Sequence, residues 1–320
     1  MDISIIVPSY QSEETIADTI ESLVTQRTDR SYEIIIVDSS SDRTPDIVSR
    51  YSDVNLVRLS RRAYSGEARN VGIRYAQGRI IAFTDSDCMP EPDWLQKMWE
   101  THAFFDCAAV GGAVTNGNPD SLISWASYIT EFSQVMPVGK MRFGFRCVTC
   151  NVSYKSWVFK EYGGFDPSLK RYVDFAFHGK LCREGEQLLF DPGILVSHRH
   201  RVTLRRYTAH EFSRGRAALI VRRMGLLPGA RITASRCVSA AITPILLARR
   251  MIADSSRVIE ARGEVLCRFP AVFPFFVAGS VAWTCGFAME ALTPLRKRGL
   301  RHEEIRYEPV SEDVLEVTNE

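Results

Sequence analysis

The 320-residue sequence predicts an α/β fold: a mostly parallel sheet flanked by helices, followed by a C-terminal helical appendage. Three observations predict it. Short apolar, β-rich runs at residues 3–7, 33–37, 54–59 and 80–84 alternate with helix-like stretches, the order that gives parallel strands with right-handed crossovers. Polar groups stand directly after the carboxyl ends of these runs, where open α/β sheets bind ligands. Beyond residue 224 the pattern changes to arginine-rich segments interleaved with long apolar ones.

The elements follow in order. Residues 3–7 form a strand ending in Pro8-Ser9-Tyr10. Ser12 is placed to cap the next helix, with Glu13 and Glu14 in its first turn and Ile16, Ile20, Leu23 and Val24 on one face. The second strand, 33–37, ends at Asp38, and Pro45 suits the first position of the following helix. A weaker strand at 54–59 and a helix at 67–76 lead to residues 80–84, too short for a helix and suited to a strand buried on both faces. After it come Asp85-Ser86-Asp87. Further strands are expected at 108–114, 148–154 and 193–196, and further helices at 121–134, from Asp174 to Arg183, and at 203–224.

Asp85 and Asp87, one residue apart at a strand end, suit a hard divalent cation that also holds phosphate oxygens. A D-x-D alone is more often a polar turn. Here Ser9, Tyr10, Asp38 and the aspartate pair share one sheet rim, which independent turns have little reason to produce, and a nucleotide diphosphate site becomes the better reading.

The chain resembles the family 2 glycosyltransferases, whose fold is called GT-A. The resemblance rests on Ile-Ile-Val-Pro8-Ser9-Tyr10, Ile-Ile-Val-Asp38, Ala68-Arg69-Asn70-Val-Gly72, Phe-Thr-Asp85-Ser-Asp87, Gly163-Gly164-Phe165-Asp166 and the Asp174 segment. It covers about the first two-thirds of the chain and implies a Rossmann-like domain. It also implies that Pro8, Ser9, Tyr10 and Asp38 hold the base, commonly uracil. Arg69 and Asn70 would lie under the nucleotide, Asp85 and Ser86 would reach the ribose or donor sugar, and Asp87 would bind Mn²⁺ or Mg²⁺. The residue matching the family's catalytic base is Asp174. Val173, Ala176 and Lys180 depart from the usual acidic and arginine neighbours, which puts the hydrogen bonding around that base in question; a helix-capping role for Asp174 is the alternative. In His198-Arg-His200, His198 could join the metal. Asn151, His200 and Arg205 are candidates for acceptor or diphosphate contacts. Processive relatives carry Gln-x-x-Arg-Trp on the helix here assigned to 203–224. No tryptophan falls between Trp157 and Trp283, so one sugar per encounter is implied.

Between Val196 and Arg262 there are 14 arginines against three acids, and residues 269–289 carry no charge. Basic segments alternating with apolar ones fit a membrane surface with anionic lipids or a lipid diphosphate. The apolar run is long enough to span, but arginines stand on both sides and Pro270 and Pro274 lie in its first turns. The expected organisation is a GT-A catalytic domain at 1–223, a membrane-associated helical segment at 224–299 and a mobile acidic tail at 300–320, of which residues 301–320 hold seven acids and two arginines.

A hydrophobic content of 45% with 24% charged residues is that of a folded chain rather than a disordered one. The formal net charge of +2 gives no whole-chain basic signal, and no nucleic-acid partner is expected. The chain enters a strand at once, so no signal peptide is expected, and the eight cysteines read as reduced thiols, Cys147 and Cys150 as a buried pair rather than a zinc site. The expected activity is a metal-dependent, inverting transfer of one sugar from a nucleotide sugar, with UDP as the expected carrier, to a glycan or polyprenyl-linked hydroxyl, at the cytoplasmic face of the cell membrane. The alternatives are an inactive membrane-bound nucleotide-binding scaffold and a sugar-phosphate nucleotidyltransferase. The latter lacks a glycine-rich, lysine-bearing loop after the first strand.

Overall fold

A computed structural model describes residues 1–144, 147–226 and 229–293, together with the short strand Leu315–Glu316. These residues divide into two compact units. The first holds 1–115, 139–198 and the Leu315–Glu316 strand; the second holds 116–138 and 199–293. The expected boundary at residue 223 therefore does not separate the units: residues 116–138 and 199–223 belong with the C-terminal helices.

The first unit is built on one sheet. Strands β1 (Ile3–Ser9), β2 (Tyr32–Asp38), β3 (Val54–Leu59) and β4 (Ile80–Phe83) are mutually parallel, in the order β3-β2-β1-β4. Every residue of β1 and β4 is buried, which explains their unbroken apolar runs. Helices α1 (Ile16–Val24), α2 (Thr44–Val48) and α3 (Ser65–Tyr75) form the crossovers. Past β4 the sheet becomes mixed. Strand β8 (Val152–Lys155) pairs antiparallel with β4 and with β6 (Ala109–Asn116), and beyond lie β9 (Leu188–His198) and β5 (Cys88–Pro90), antiparallel to each other. The two-residue strand β7 (Arg142–Phe143) pairs with β9, and β10 (Leu315–Glu316) pairs antiparallel with β3. Apart from β10, the acidic tail expected at 300–320 lies outside the described residues. Helices α4 (Trp94–Phe104), α6 (Trp157–Tyr162) and α7 (Val173–Arg183) complete the unit.

Local corrections have simple causes. Ser12 does not cap α1 through its side chain. Residues 13–15 form a turn in which the Ser12 carbonyl accepts from the Thr15 and Ile16 amides, and Thr15 becomes the N-cap. Strand β9 runs 11 residues, longer than the 193–196 expected, because it pairs with both β5 and β7.

The second unit is helical: α5 (Leu122–Phe132), a 3-10 turn at Ser133–Val135, α8 (Leu204–Arg223), α9 (Ala230–Thr233), α10 (Arg236–Ala241), α11 (Thr243–Ala261) and α12 (Gly263–Leu292). Ser121 caps α5 as expected, its hydroxyl accepting from the Ser124 amide at 3.2 Å. Pro270 and Pro274 lie inside α12, which is continuous through them. Helices α8 and α12 pack backbone to backbone at glycines. A Cβ at Gly215 would collide with the Trp283 carbonyl, and one at Gly286 with that of Phe212. An ionic core joins the helices. The buried Glu211 carboxylate accepts from Arg214 at 2.6 Å and Arg250 at 2.7 Å, while Asp254 accepts from the Ser133 hydroxyl at 2.6 Å.

Candidate active site

The parallel strands deliver the first group of residues to one rim. Register places Ser9 beside Asp38 and Asp38 beside Arg58. Asp38 is fully buried: one carboxylate oxygen accepts from the Ser40 hydroxyl at 2.5 Å, the other from the Ser40 amide at 3.1 Å and Arg58 Nη1 at 2.6 Å. Arg58 was not singled out from the sequence. It could have been found by setting β2 and β3 in register. Pro8 and Ser9 end β1 in the core, and the buried Ser9 hydroxyl has no partner among the described residues. Tyr10 is exposed, with the Arg62 guanidinium 4.3 Å above its ring. Gln11 follows in the left-handed region (φ 55°), held there as its amide donates to the Ser40 hydroxyl at 2.8 Å.

The second group surrounds Arg69. Its buried guanidinium donates to Asp85 at 2.5 Å, and its Nε–H has no partner among the described residues. Its positive charge also acts on Asp174, in the first turn of α7. Asp85, Arg69 and Asp174 thus form one electrostatic set. Burial pushes the Asp174 carboxyl above the usual carboxylate range, against the pull of the Phe175 amide and Arg69. The Asp174 Oδ1 accepts from the Phe175 amide at 2.8 Å, whereas the N-cap itself is Tyr172, which is in the left-handed region (φ 60°) and makes no side-chain cap. Two of the three non-glycine left-handed residues among the described ones therefore adjoin this site. Behind it, Phe83, Tyr154, Phe159, Phe165 and Phe177 pack ring on ring, and the Tyr154 hydroxyl meets His178 Nε2 at 2.5 Å, one turn beyond Asp174. This cluster fixes α7 against the sheet.

The third group is Asp87, Cys88 and His198, one donor atom of each lying within 4.8 Å of the others. Cys88 and His198 face each other across β5 and β9, and Asp87 Oδ1 stands 3.5 Å from His198 Nε2. A carboxylate that remains partly exposed and an imidazole beside it are donors that would suit a divalent cation. Cys88 is a poor donor for such an ion: burial pushes its thiol well above the ordinary value.

Three expected contacts are engaged elsewhere. Asn70 donates to the Phe165 carbonyl at 2.7 Å and accepts from the Phe165 amide at 2.8 Å, so it clamps the Gly163–Asp166 turn instead of presenting its amide to a ligand. The Ser86 hydroxyl meets that of Ser12 at 2.7 Å. Asn151 is fully buried; it accepts from Trp94 Nε1 at 2.8 Å and donates to the Ala113 and Ile194 carbonyls at 2.7 and 3.0 Å. These side chains are held by groups of the protein itself. His200 and Arg205 belong to the helical unit, where the His200 ring lies against Tyr128 and Phe132 and Arg205 is exposed at the start of α8.

A half-sheet of parallel strands ending in Ser9 and Asp38, continued by antiparallel strands that bring Cys88 and His198 together, has the α/β form of the GT-A fold. Residues 4–162 match the family described as "Glycosyl transferase family 2". The chain is 26% identical over 221 residues to a glucosyl-dolichyl phosphate glucuronosyltransferase of Haloferax volcanii, covering 62% of this chain and 69% of that protein. It is 42% identical over 88 residues to a UDP-Glc:alpha-D-GlcNAc-diphosphoundecaprenol beta-1,3-glucosyltransferase of Escherichia coli, covering 27% of this chain and 34% of that one. The fold is shared with a mannosyltransferase of Pyrobaculum calidifontis solved with GDP-Man and Mn²⁺ (TM-score 0.58, 19% identity, 89% of this chain and 86% of that one). The chain belongs to the family 2 glycosyltransferases, and it is a glycosyltransferase.

Proposed function

We propose that the protein transfers one sugar, with inversion, from a UDP-sugar to a hydroxyl of a glycan or lipid-linked acceptor, using a divalent metal, at the cytoplasmic face of a membrane. The observation that carries this reading is the grouping of Asp85, Arg69 and Asp174 on one electrostatic set beside the Asp87–His198 pair. The relatives' names point the same way, the Escherichia coli protein to UDP-Glc and a diphosphoundecaprenol acceptor, the Haloferax protein to a dolichyl phosphate. The expected domain division is kept only in function: 1–223 would hold the chemistry and 224–299 the membrane contact.

The residue roles follow from position. Tyr10 offers a ring face to the base, and Asp38, buried and bound to Ser40 and Arg58, fixes the strand ends beside it. Arg69 neutralises Asp85 and keeps a buried Nε–H without a partner among the described residues, a donor that an anionic group could take up. Asn70 and Ser86 hold the loops that carry these groups. Asp87 and His198 would hold Mn²⁺ or Mg²⁺, which when bound offsets the negative charge gained by the departing nucleoside diphosphate. Asp174 accepts the proton of the acceptor hydroxyl as that oxygen attacks the anomeric carbon from the face opposite the leaving group. A carboxyl raised by burial is a stronger base than a solvated one. No second carboxylate nucleophile is needed for an inverting displacement.

Titration calorimetry of UDP with and without Mn²⁺, on wild type and Asp87→Ala, tests the donor half of this reading. The metal should tighten UDP binding to wild type and leave the mutant unaffected, with the fold intact because Asp87 lies on the rim. Equal, metal-sensitive binding by both proteins would refute the assignment of Asp87.

A further inference from the structure

The outward faces of α11 and α12 are apolar. On α11, Ile245, Ile252 and Ile259 are 61%, 70% and 62% exposed, and their seven-residue spacing sets them in one line along the helix. On α12, Phe273, Val281 and Met289 are exposed in the same way. A helix of a water-soluble unit turns such residues inward, so this surface has a partner.

The charges beside the stripe indicate which partner. Arg249 stands on α11 between Ile245 and Ile252, Arg262 stands at the α11–α12 junction, and both are exposed without an ion pair among the described residues. The outward acids here, Glu260 and Glu264, are already paired with Arg257 and Arg268. A second copy of this face would set arginines against arginines. Anionic lipid headgroups would complement them while the acyl region covers the isoleucines.

The packing of α12 decides how it meets the lipid. It is long and apolar enough to cross a bilayer by length and composition. However, it is strapped along α8 by the glycine contacts at Gly215 and Gly286, and the Arg250 guanidinium, bound to Glu211 of α8, lies 4.7 Å over the Trp283 ring of α12. Crossing would carry this Glu211–Arg214–Arg250 network into the bilayer with α12. Only one side of α12 is apolar and open; the other buries Phe276, Trp283 and Phe287 within the unit. We infer that α11 and α12 lie in the plane of one leaflet of an anionic membrane, inserting their outward apolar faces without spanning. This rests on the membrane reading above and adds the geometry.

The full chain should bind phosphatidylcholine vesicles that contain phosphatidylglycerol and bind those without it several-fold more weakly, with salt reducing the difference. Replacing Ile245, Ile252 and Ile259 together by Gln, a change at exposed positions, should lower the partition coefficient roughly 100-fold. Cys267 and Cys285 are exposed on α12, 18 residues (285 − 267) or about 27 Å apart. In-plane insertion predicts that vesicle binding shields both from a membrane-impermeant maleimide while exposed Cys182 still reacts, and that alkaline carbonate releases the protein. Retention through carbonate, with one of the two thiols labelled from outside, would mean a span; it would overturn the in-plane inference and leave the membrane reading standing. Wild-type binding by the triple variant would also overturn the inference. Failure of the full chain to bind either vesicle would overturn both.

Discussion

Asp174→Asn separates a catalytic base from a helix cap. Asn keeps the size of the side chain and a carbonyl oxygen for the Phe175 amide, now accepted at 2.8 Å, so the first turn of α7 stays intact. What is lost is the basicity. General-base catalysis contributes about 100- to 10,000-fold, so transfer should fall by at least about 100-fold, near 2.7 kcal/mol of barrier. UDP affinity should change little, because Tyr10, Asp38, Arg69 and Asp87 remain. Stability gives an independent readout. A carboxyl whose folded pKa is raised stabilises the fold below its unfolded value and loses that contribution as pH rises through the folded one. At neutral pH the half-buried charge therefore opposes folding, and the mutant should melt at or above the wild-type temperature. As pH falls through the folded pKa of Asp174, the two melting curves should converge. The assay combines turnover with acceptor, UDP titration and thermal melts on one protein preparation. Near-normal turnover would refute the base assignment; loss of both UDP binding and stability would show that Asp174 holds the site's shape instead.

Two further predictions concern the folds that carry the site. Glu211→Gln in the helical unit leaves Arg214 and Arg250 without their shared buried carboxylate and should cost about 3–5 kcal/mol in denaturant unfolding, where a cost under 1 kcal/mol would mean the network is solvated. His102, whose ring meets the Ser153 hydroxyl at 3.0 Å, is held down to about 3 by burial and by Lys155. Its neutral form contributes stability above pH 6.5 that is lost as pH falls toward 3, and His102→Gln should flatten that slope in acid melts; an unchanged slope would contradict the buried, neutral ring.

How much was legible in the sequence differs between the halves of the sheet. Strands β1, β2 and β4 differ from their apolar runs by only one or two residues at their ends, because strands buried on both faces write themselves as apolar runs, and the weaker, partly exposed β3 spans the 54–59 expected. The antiparallel pairing of β8, β6, β9 and β5 was not legible, since a period of two gives a strand but not its direction or neighbour. The candidate site divides similarly. Asp38, Arg69, Asp85, Asp87 and Asp174 announce themselves at strand or helix ends. The partners that decide what those side chains can do come from afar: Arg58 to Asp38 across 20 positions, and Phe165 to Asn70 across 95. Asn151, a candidate ligand contact from the sequence, is fully buried, and its partners come from Trp94, Ala113 and Ile194, 57, 38 and 43 positions away. The unit boundary was missed because α5 shows an ordinary amphipathic pattern, which says that it packs, not on which unit.

The most direct test of the account is release of nucleoside diphosphate from a donor panel of UDP-, GDP- and dTDP-sugars, with Mn²⁺, Mg²⁺ or chelator, comparing wild type with Asp87→Ala. The account predicts release by wild type from a UDP-sugar, dependent on the metal and lost both with chelator and in Asp87→Ala. Release that survives chelation and the Asp87 substitution, or none from any UDP-sugar while a GDP- or dTDP-sugar is cleaved, would contradict it.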